Sequence, residues 1–356
     1  MSKVSKVRVN EWGQDTTTFS GDNPNGKIQL TEQPTFSTHR SGWDYAVGAL
    51  EPLHNSRGIS FYGFLENEFY WRLDECKSNG VVPIRKPWVG FFHNPQNYPW
   101  WFGPKGLPEV IINMPEFKKS IDSCLGLFTL TEYHADFYRN LVNVPVSVLC
   151  HPTEIPEKQF NFNNFLKNPK KRLLNVGYWL RKINSIYYLP VDNNIYTKTR
   201  ILPYEANSSP HQFVHGLRLK ELRYDYSTSV NHNYYYSEET GYVEELHKLS
   251  NEEYDDIFSE NIIFLDVYTC SASNSIIEAI ARATPILVNP LPPTIEYLGE
   301  DYPFYFSCME EAVQKMFNMD LIYRTHEYLK TCDTRKKLTG KYFLNSFKES
   351  EVYSNL

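Results

Sequence analysis

The stretch that decides the fold is residues 266–299, DVYTCSASNSIIEAIARATPILVNPLPPTIEYLG. An apolar run at 262–267 leads into it and predicts a buried strand. Residues 275–283 have the apolar spacing of a helix, and 285–288 predict a second strand. A strand, a helix and another strand in this order are typical of a parallel βαβ unit, so the fold class is predicted to be α/β.

The turn between this strand and helix predicts an anion site. It consists of small and polar residues, among them Ser273, Asn274 and Ser275. The first turn of a helix leaves backbone N–H groups unpaired and carries the positive end of the helix dipole, which suits a phosphate. Glu278, about one turn inside, is a candidate for accepting hydrogen bonds from ribose hydroxyls. Alternatively, Ser275 and Glu278 form a capping box in which the glutamate only serves the helix end. Spacing leaves both interpretations open.

A second candidate lies upstream, where the strand predicted at 172–176 runs into the loop 177–182, GYWLRK. This loop contains Gly177, Arg181 and Lys182. The carboxyl ends of strands are where open α/β sheets bind ligands. An arginine offers a two-pronged contact to phosphate oxygens, and a lysine offers a point charge. The alternative is that the two cations are solvated and flank a helix start, where the dipole mildly disfavours them.

The rest of the chain follows the same strand–helix alternation. Further strands are predicted at 33–39, 58–65, 88–92, 125–131 and 144–149, with helices at 44–54, 132–141 and 184–189. The Pro-, Asn- and Lys-rich segment 151–171 predicts a linker between two domains. We therefore expect a lead-in at 1–32, an N-terminal domain at 33–151 and a C-terminal domain at 152–337. The Tyr-rich segment 223–240 predicts a loop or lid, and the tail from 309 is helical in period, with 338–356 expected to pack back on the N-terminal domain.

The N-terminal half contains three weaker candidate sites, each in a loop after a predicted strand. The first contains His39, Arg40 and Gly42, where the glycine permits close approach of a ligand. The second contains His93 and Asn94, followed by amides and aromatic rings that suit a polyhydroxylated substrate. The third is Glu132. A lone histidine is more often structural than catalytic, so both interpretations of His39 and His93 stay open.

Charge and hydropathy exclude several classes of protein. The 356 residues carry 36 Lys and Arg against 42 Asp and Glu, a net charge of −6, which argues against a dedicated nucleic-acid binder. No apolar run reaches the roughly 20 residues that span a bilayer, and the first residues lack the apolar core of a signal peptide. We therefore expect a cytoplasmic protein. The cluster at 170–172 is too short to indicate a membrane-binding patch.

Several chemistries lack their motifs in this sequence. The six cysteines are scattered without a C-x-x-C pair, which indicates neither a disulfide framework nor a zinc site. The G-x-G-x-x-G, phosphate-loop, H-E-x-x-H and G-x-S-x-G patterns are absent. No D-x-D occurs, so the usual carboxylate pair for a divalent metal on a nucleotide-sugar is missing. We expect no metal and no cofactor.

Residues 271–288 resemble the E-A-hydrophobic-small-x-x-x-P-hydrophobic signature of GT-B glycosyltransferases. The resemblance is strong over 172–182 and 266–305. It implies two Rossmann-like domains facing each other across a cleft, with the nucleotide-sugar bound to the C-terminal domain. It also implies that Glu278 contacts the donor ribose, that Arg181 and Lys182 contact the diphosphate, and that the His93 loop lines the acceptor side. The retaining group carries a second glutamate eight positions upstream of Glu278, where this chain has Cys270.

The resemblance implies a hexose transfer from a nucleotide-sugar donor to a hydroxyl on a glycan, lipid-linked or protein acceptor. Arg181 and Lys182, with the helix start 273–275, would stabilise the leaving diphosphate, and His93 is the third candidate catalytic residue. Two other functions fit the same residues. One is a nucleotide-sugar epimerase, which needs no acceptor. The other is a non-catalytic subunit that binds a nucleotide or sugar and scaffolds a partner glycosyltransferase, an alternative that Cys270 in place of the glutamate keeps open.

Overall fold

A computed structural model of the chain describes residues 8–9, 15–17, 21–30, 33–35, 42–192, 194–227 and 242–356. The chain divides into two compact units. The N-terminal unit comprises Met1–Asn97, Gly103–Glu154 and Lys336–Leu356, and the C-terminal unit comprises Tyr98–Phe102 and Ile155–Arg335. The chain therefore passes between the units at four separate places in the sequence.

The N-terminal unit contains two sheets. Its strands are β1 (Arg8–Val9), β2 (Asp15–Thr17), β3 (Ile28–Gln29), β4 (Gln33–Thr35), β5 (Ile59–Tyr62), β6 (Trp88–Phe91), β7 (Cys124–Thr129) and β8 (Val146–Val148). A parallel sheet of five strands has the order β3-β5-β6-β7-β8. A small antiparallel sheet has the order β1-β2-β4. The segment predicted as the first strand of the domain therefore pairs in the small sheet, and the parallel sheet begins at β3.

Helices connect these strands. They are α1 (Trp43–Ala49), α2 (Leu73–Ser78), α3 (Pro108–Ile111), α4 (Pro115–Ser120) and α5 (Glu132–Arg139), with short 3-10 turns at Glu51–Leu53, Trp100–Phe102, Pro104–Gly106 and Ile121–Ser123, and a π-helical turn at Asn67–Trp71. α1 ends at Ala49, and Pro52 lies in the turn that follows it. The helix does not continue through Pro52 because proline cannot donate the backbone hydrogen bond that a continuing helix needs. Trp88, Phe92 and Tyr138 are buried in the core on one face of the parallel sheet.

The C-terminal unit has one parallel five-stranded sheet of order β11-β10-β9-β12-β13. Its strands are β9 (Arg172–Val176), β10 (Thr197–Leu202), β11 (Glu244–His247), β12 (Ile262–Leu265) and β13 (Ile286–Val288). Its helices are α6 (Phe162–Lys167), α7 (Ser185–Tyr188), α8 (Ser209–Ser227), α9 (Asn251–Ser259), α10 (Asn274–Arg282), α11 (Pro292–Leu298), α12 (Met309–Met316), α13 (Met319–Thr331) and α14 (Asp333–Lys337). The α/β class and the two Rossmann-like sheets predicted from the sequence are confirmed.

The last two helices, α15 (Gly340–Glu349) and α16 (Glu351–Ser354), belong to the N-terminal unit. Phe343, Phe347 and Val352 on these helices are fully buried. The Phe347 ring stacks on Phe128 of β7, with centroids 4.7 Å apart. The end of the chain therefore completes the core of the unit in which the chain began.

The structure corrects two sequence predictions and adds elements that the sequence did not predict. The segment 151–171 is not a plain linker, because it contains α6 and lies mostly in the C-terminal unit. The segment 223–240 is not entirely a loop, because its first residues continue α8 to Ser227, and its remainder lies outside the described residues. The strands β10 and β11 and the helix α9 were not predicted. Among the described residues, none of the helices is long and apolar enough to cross a membrane.

Candidate functional site

The strand order of the C-terminal sheet reverses between β9 and β12. β9 connects towards β10 on one side, and β12 connects towards β13 on the other. In open α/β sheets the ligand crevice lies at such a reversal, outside the carboxyl ends of the strands. The amide of Asn175 in β9 donates to the Phe264 carbonyl of β12 over 3.1 Å. The two predicted donor-binding segments, 177–182 and 271–275, follow these two strands, so the fold brings them together.

Two loops are joined directly at this crevice. The backbone N–H of Lys182 donates to the Asp266 carbonyl over 2.8 Å, and the N–H of Tyr268 donates to the Leu180 carbonyl over 3.0 Å. Gly177 and Leu180 have positive φ values of 76° and 58°. Glycine adopts this left-handed conformation without strain, which explains why the sharp exit from β9 begins at Gly177.

Arg181 reaches from the loop after β9 to the start of α10. Its Nη2 donates to Ser273 Oγ over 3.2 Å and to Ser275 Oγ over 3.0 Å. Its Nη1 donates to the Trp179 carbonyl over 2.5 Å. The side chain is 8% exposed, and burial lowers its pKa, although a guanidinium stays cationic at neutral pH. In the described part of the chain, its hydrogen bonds go to neutral oxygens.

The N-terminus of α10 has no side-chain capping hydrogen bond. Ser273 is the N-cap residue, and its side chain makes no capping hydrogen bond. The capping box proposed for Ser275 and Glu278 is therefore wrong, because the helix begins at Asn274, ahead of Ser275. Ser275 Oγ donates to the Val176 carbonyl over 3.3 Å. The hydroxyl of Ser273 accepts from Arg181, and the half-buried Asn274 follows it at the first helical position.

Lys182 forms an ion pair with a buried carboxylate. Its Nζ lies 2.9 Å from Asp266 Oδ1, and the lysine side chain is 41% exposed against 5% for the aspartate. Burial raises the pKa of Asp266, and the Lys182 ammonium opposes that shift. Lys182 is thus held at the mouth of the crevice, beside the loop that leads to α10.

Glu278 is more enclosed than a surface ribose contact would suggest. It is 1% exposed, and its Oε2 accepts from the Tyr254 hydroxyl of α9 over 2.5 Å. Burial and the Glu278 carboxylate raise the pKa of Tyr254, which keeps the phenol protonated as a donor. One turn further along α10, Arg282 pairs with Asp255 of α9 over 2.6 Å. Sequence reasoning missed Tyr254, because no local pattern connects it with α10.

Aromatic rings surround both loops at the crevice. Trp101 lies edge-on to Tyr268 with centroids 5.6 Å apart, and Phe102 lies edge-on to Trp179 at 5.5 Å. Trp101 and Phe102 are buried and belong to the C-terminal unit although they follow β6 in the sequence. These contacts fix the positions of Trp179 and Tyr268, which flank Arg181 and Lys182 in the two loops.

Cys270 occupies the position of the missing upstream glutamate. It is 4% exposed, and burial raises the pKa of its thiol to about 12. The side chain is therefore a neutral thiol at physiological pH. It cannot supply the carboxylate charge that the retaining group places there.

In the N-terminal unit, His93 is a neutral, packed imidazole. Its ring stacks on Phe64 with centroids 3.8 Å apart and meets the edge of Trp43 at 4.4 Å. The Nε2 atom lies 2.9 Å from the Gly63 carbonyl, which only accepts, so Nε2 carries the proton. Burial lowers the pKa of His93 to about 3. A general acid–base catalyst works best with a pKa near the operating pH, so His93 suits hydrogen bonding and positioning better than proton transfer.

A buried carboxyl group holds the His93 loop and was missed by sequence reasoning. Glu66 Oε1 accepts from the backbone N–H of His93 over 2.8 Å and from that of Asn94 over 2.6 Å. Glu66 is 0% exposed, and burial raises its pKa to about 7. The Asn94 amide donates to the Gly106 carbonyl over 2.9 Å. Asn94 is thus an anchor of the loop.

The remaining predicted residues lie apart from these contacts. Gly42 is the N-cap of α1 with an ordinary φ of −63°, so the backbone there does not require glycine. Glu132 begins α5 and pairs with Arg139 over 2.6 Å, with its side chain 58% exposed. His39 and Arg40 lie outside the described residues.

Solved structures with the GT-B fold resemble this chain at low sequence identity. HepE of Anabaena, in complex with UDP and glucose, has a TM-score of 0.56 and 10% identity, with coverage of 83% of this chain and 78% of that one. A UDP-forming trehalose-phosphate synthase of Burkholderia xenovorans, in complex with glucose-6-phosphate, has a TM-score of 0.53 and 12% identity, with coverage of 86% and 76%.

Comparison of the sequence itself gives a different result. The chain matches no protein-family model and no curated protein sequence. The relationship is therefore carried by the architecture, which agrees in both parallel sheets. The chain has the GT-B fold.

Proposed function

We propose that the chain is a metal-independent glycosyltransferase. It would transfer a hexose-type sugar from a nucleoside-diphosphate donor to a hydroxyl on a glycan, lipid-linked or protein acceptor. The observation that carries the proposal is the buried Arg181 guanidinium at the strand-order reversal, bonded to Ser273 and Ser275 at the start of α10. A buried cation with neutral hydrogen-bond partners favours an anionic ligand beside it.

The reaction develops negative charge on the leaving diphosphate. The bond between the anomeric carbon and the phosphate oxygen breaks, and its electron pair goes to that oxygen. The acceptor oxygen bonds to the anomeric carbon, and its proton passes to the leaving diphosphate oxygen or to solvent. Arg181, Lys182 and the start of α10 would stabilise the leaving charge. Removing one such preorganised donor typically lowers the rate by about 10²–10³.

The surroundings suit this role. The ion pair with Asp266 places Lys182 at the crevice mouth, and the 41% exposed lysine side chain is accessible to a ligand. Two structural neighbours are described with UDP or as UDP-forming, so UDP is the first nucleotide to test. The Glu278 carboxylate is buried and accepts a hydrogen bond from the Tyr254 hydroxyl. The proposed contact between Glu278 and the donor ribose therefore requires the Tyr254 side chain to move.

The first experiment measures thermal stabilisation by UDP, GDP, ADP and the corresponding nucleotide-sugars, with EDTA and with added Mg²⁺. A ligand at 100 times its dissociation constant stabilises the native state by about 2.7 kcal/mol. We expect a response to one base that EDTA does not remove. No response to any nucleotide would contradict the donor site.

Variants then test the residues. Arg181→Lys keeps a cation but loses the bidentate geometry, and we expect donor turnover to fall by about 10²-fold. Lys182→Met should weaken nucleotide binding, whereas the exposed control Lys119→Met should not. Arg181→Ala is a less specific test of the arginine charge than Arg181→Lys. The alanine variant also removes the hydrogen-bond partner of two buried hydroxyls and a carbonyl.

The Cys270 departure supports a second candidate, a non-catalytic subunit that binds a nucleotide or sugar. Nucleotide binding without nucleotide release across a panel of acceptors would favour that function. Conversion of the donor sugar without any acceptor would instead indicate an epimerase.

A further inference from the structure

Two histidines and a glutamate converge at the edge of the C-terminal sheet, apart from the residues assigned to the donor. His211 lies in the first turn of α8, and Glu245 and His247 lie on the edge strand β11. His211 Nε2 is 3.3 Å from Glu245 Oε2, and His247 Nε2 is 3.7 Å from the same oxygen. The exposed fractions of the three side chains are 23%, 19% and 30% for His211, His247 and Glu245. The cluster is sheltered but reachable from solvent.

A backbone contact orients His247 so that its other ring nitrogen faces the cluster. Its Nδ1 lies 3.2 Å from the Tyr204 carbonyl. A carbonyl oxygen only accepts, so Nδ1 carries the proton and Nε2 presents a lone pair in the neutral imidazole. That lone pair faces a carboxylate oxygen. A carbonyl that orients a histidine in this way is the usual outer-shell partner of a metal ligand.

Arg200 binds one oxygen of the Glu245 carboxylate and leaves the other oxygen for a metal. Its Nη1 lies 3.1 Å from Glu245 Oε1 and its side chain is 4% exposed, so one carboxylate oxygen is held while Oε2 faces the histidines. Ligating carboxylates are commonly hydrogen-bonded through their other oxygen. Around a tetrahedral zinc ion with bonds of about 2.0–2.1 Å, ligand atoms lie roughly 3.4 Å apart. The observed separations of 3.3 and 3.7 Å are close to that value.

We propose that His211, Glu245 and His247 bind a zinc ion. Two imidazoles and one carboxylate suit zinc and other borderline transition metals better than Mg²⁺ or Ca²⁺. The ion joins the first turn of α8 to the end of β11, elements whose ligands His211 and Glu245 lie 34 residues apart in the sequence. It stabilises the edge of the sheet and takes no part in the proposed sugar transfer. The proposal does not depend on the proposed function.

The test is a titration of the full, EDTA-treated chain with Zn²⁺ by calorimetry, and with Co²⁺ by visible absorption. We expect a site for one zinc ion per chain and a rise in the midpoint of thermal unfolding on Zn²⁺ addition, with no rise on Mg²⁺ addition. His211→Ala and His247→Ala should each lower zinc affinity by about tenfold or more and remove the Co²⁺ band. Unfolding in EDTA establishes that each variant folds.

The matched control is His215→Ala, an exposed histidine one turn further along α8. It should keep the zinc site. If His215→Ala loses zinc binding as His211→Ala does, the metal is bound by His211 and His215, one turn apart on α8, and the proposal is wrong. Zinc stoichiometry unchanged in His247→Ala would overturn it as well. Nucleotide binding in EDTA is measured separately, so failure of the zinc site leaves the test of the donor site intact.

Discussion

Glu66 shows how one buried carboxyl group can organise a loop at the expense of stability at neutral pH. Its Oε1 accepts the two successive backbone N–H groups of His93 and Asn94. Its Oε2 is buried without a hydrogen-bond partner among the described residues. Because ionisation in this environment is unfavourable, burial raises the folded-state pKa to about 7 from its usual 4.5.

This shift sets the sign of a pH dependence. A carboxyl group whose pKa is raised on folding binds more protons in the folded state, so its contribution favours folding at low pH and declines as pH rises from about 4.5 to about 7. Glu66→Gln keeps an accepting oxygen for both N–H groups and removes the ionisation. We expect it to stabilise the N-terminal unit at pH 8 by on the order of 1–3 kcal/mol and to change little at pH 4. Denaturant unfolding at the two pH values measures this.

The matched comparison is Glu116→Gln, because Glu116 pairs with Lys77 near the surface and its pKa is lowered. Its effect on the pH dependence should have the opposite sign. A Glu66→Gln variant that is less stable than wild type at pH 8 would show that the ionised carboxylate is favoured in the folded state, against the expectation.

At the scale of secondary-structure elements, α16 approaches the parallel sheet at a position without a side chain. A Cβ added at Gly126 of β7 would lie 2.6 Å from both Cγ atoms of Val352. Valine is branched at Cβ and has little freedom to turn away. The glycine therefore permits close contact between the terminal helix and the strand.

We expect Gly126→Ala to destabilise the N-terminal unit by about 1–3 kcal/mol through overpacking. Val352→Ala removes the two methyl groups that the new Cβ would meet. The double variant should therefore be more stable than the sum of the two single effects predicts, which a double-mutant cycle in denaturant measures. Strictly additive effects would mean that the two positions do not contact in solution.

The strands that the sequence predicted correctly are those with a continuous run of apolar residues. β9 and β12 are apolar runs and were predicted nearly to their ends. β10 was missed because it buries Lys198 and Arg200, which are 0% and 3% exposed. Lys198 Nζ lies 3.3 Å from the Tyr187 and Leu189 carbonyls, so tertiary contacts compensate for a charge that sequence patterns assign to solvent.

At the scale of the whole molecule, the N-terminal unit depends on residues at the far end of the chain. Phe343, Phe347 and Val352 are fully buried in it, and Phe347 stacks on Phe128. Loss of a buried phenylalanine side chain alone costs about 3–5 kcal/mol, a large part of the stability of a domain.

We therefore expect a chain that ends at Arg335 to lose the folded N-terminal unit while the C-terminal unit stays protease-resistant. A control chain lacking only residues 354–356 keeps all three buried side chains and should fold. Limited proteolysis with mass spectrometry distinguishes the two. An N-terminal unit that resists proteolysis equally in both chains would contradict the expectation.

By itself, the sequence determined the strand–helix alternation of the N-terminal unit, the β12–α10–β13 segment of the C-terminal unit and the polar turn at the start of α10. These features are local: apolar periodicity and the residue types at a helix start are read within a single segment. It also identified Arg181 and Lys182 at a strand end, but not what they contact. Arg181 and Ser273 lie 92 residues apart, and they meet only because the strand order places β12 beside β9.

Only the tertiary structure decided which charges are buried and which side chains converge. The burial of Glu66, the enclosure of Glu278 by Tyr254 and the meeting of His211 with Glu245 and His247 each join residues from separate elements. The physical reason is that desolvation and pairing depend on every group that packs around an atom. Sequence spacing reports on neighbours along the chain, whereas the pKa of a carboxyl group and the ligands of a metal are set by neighbours in space.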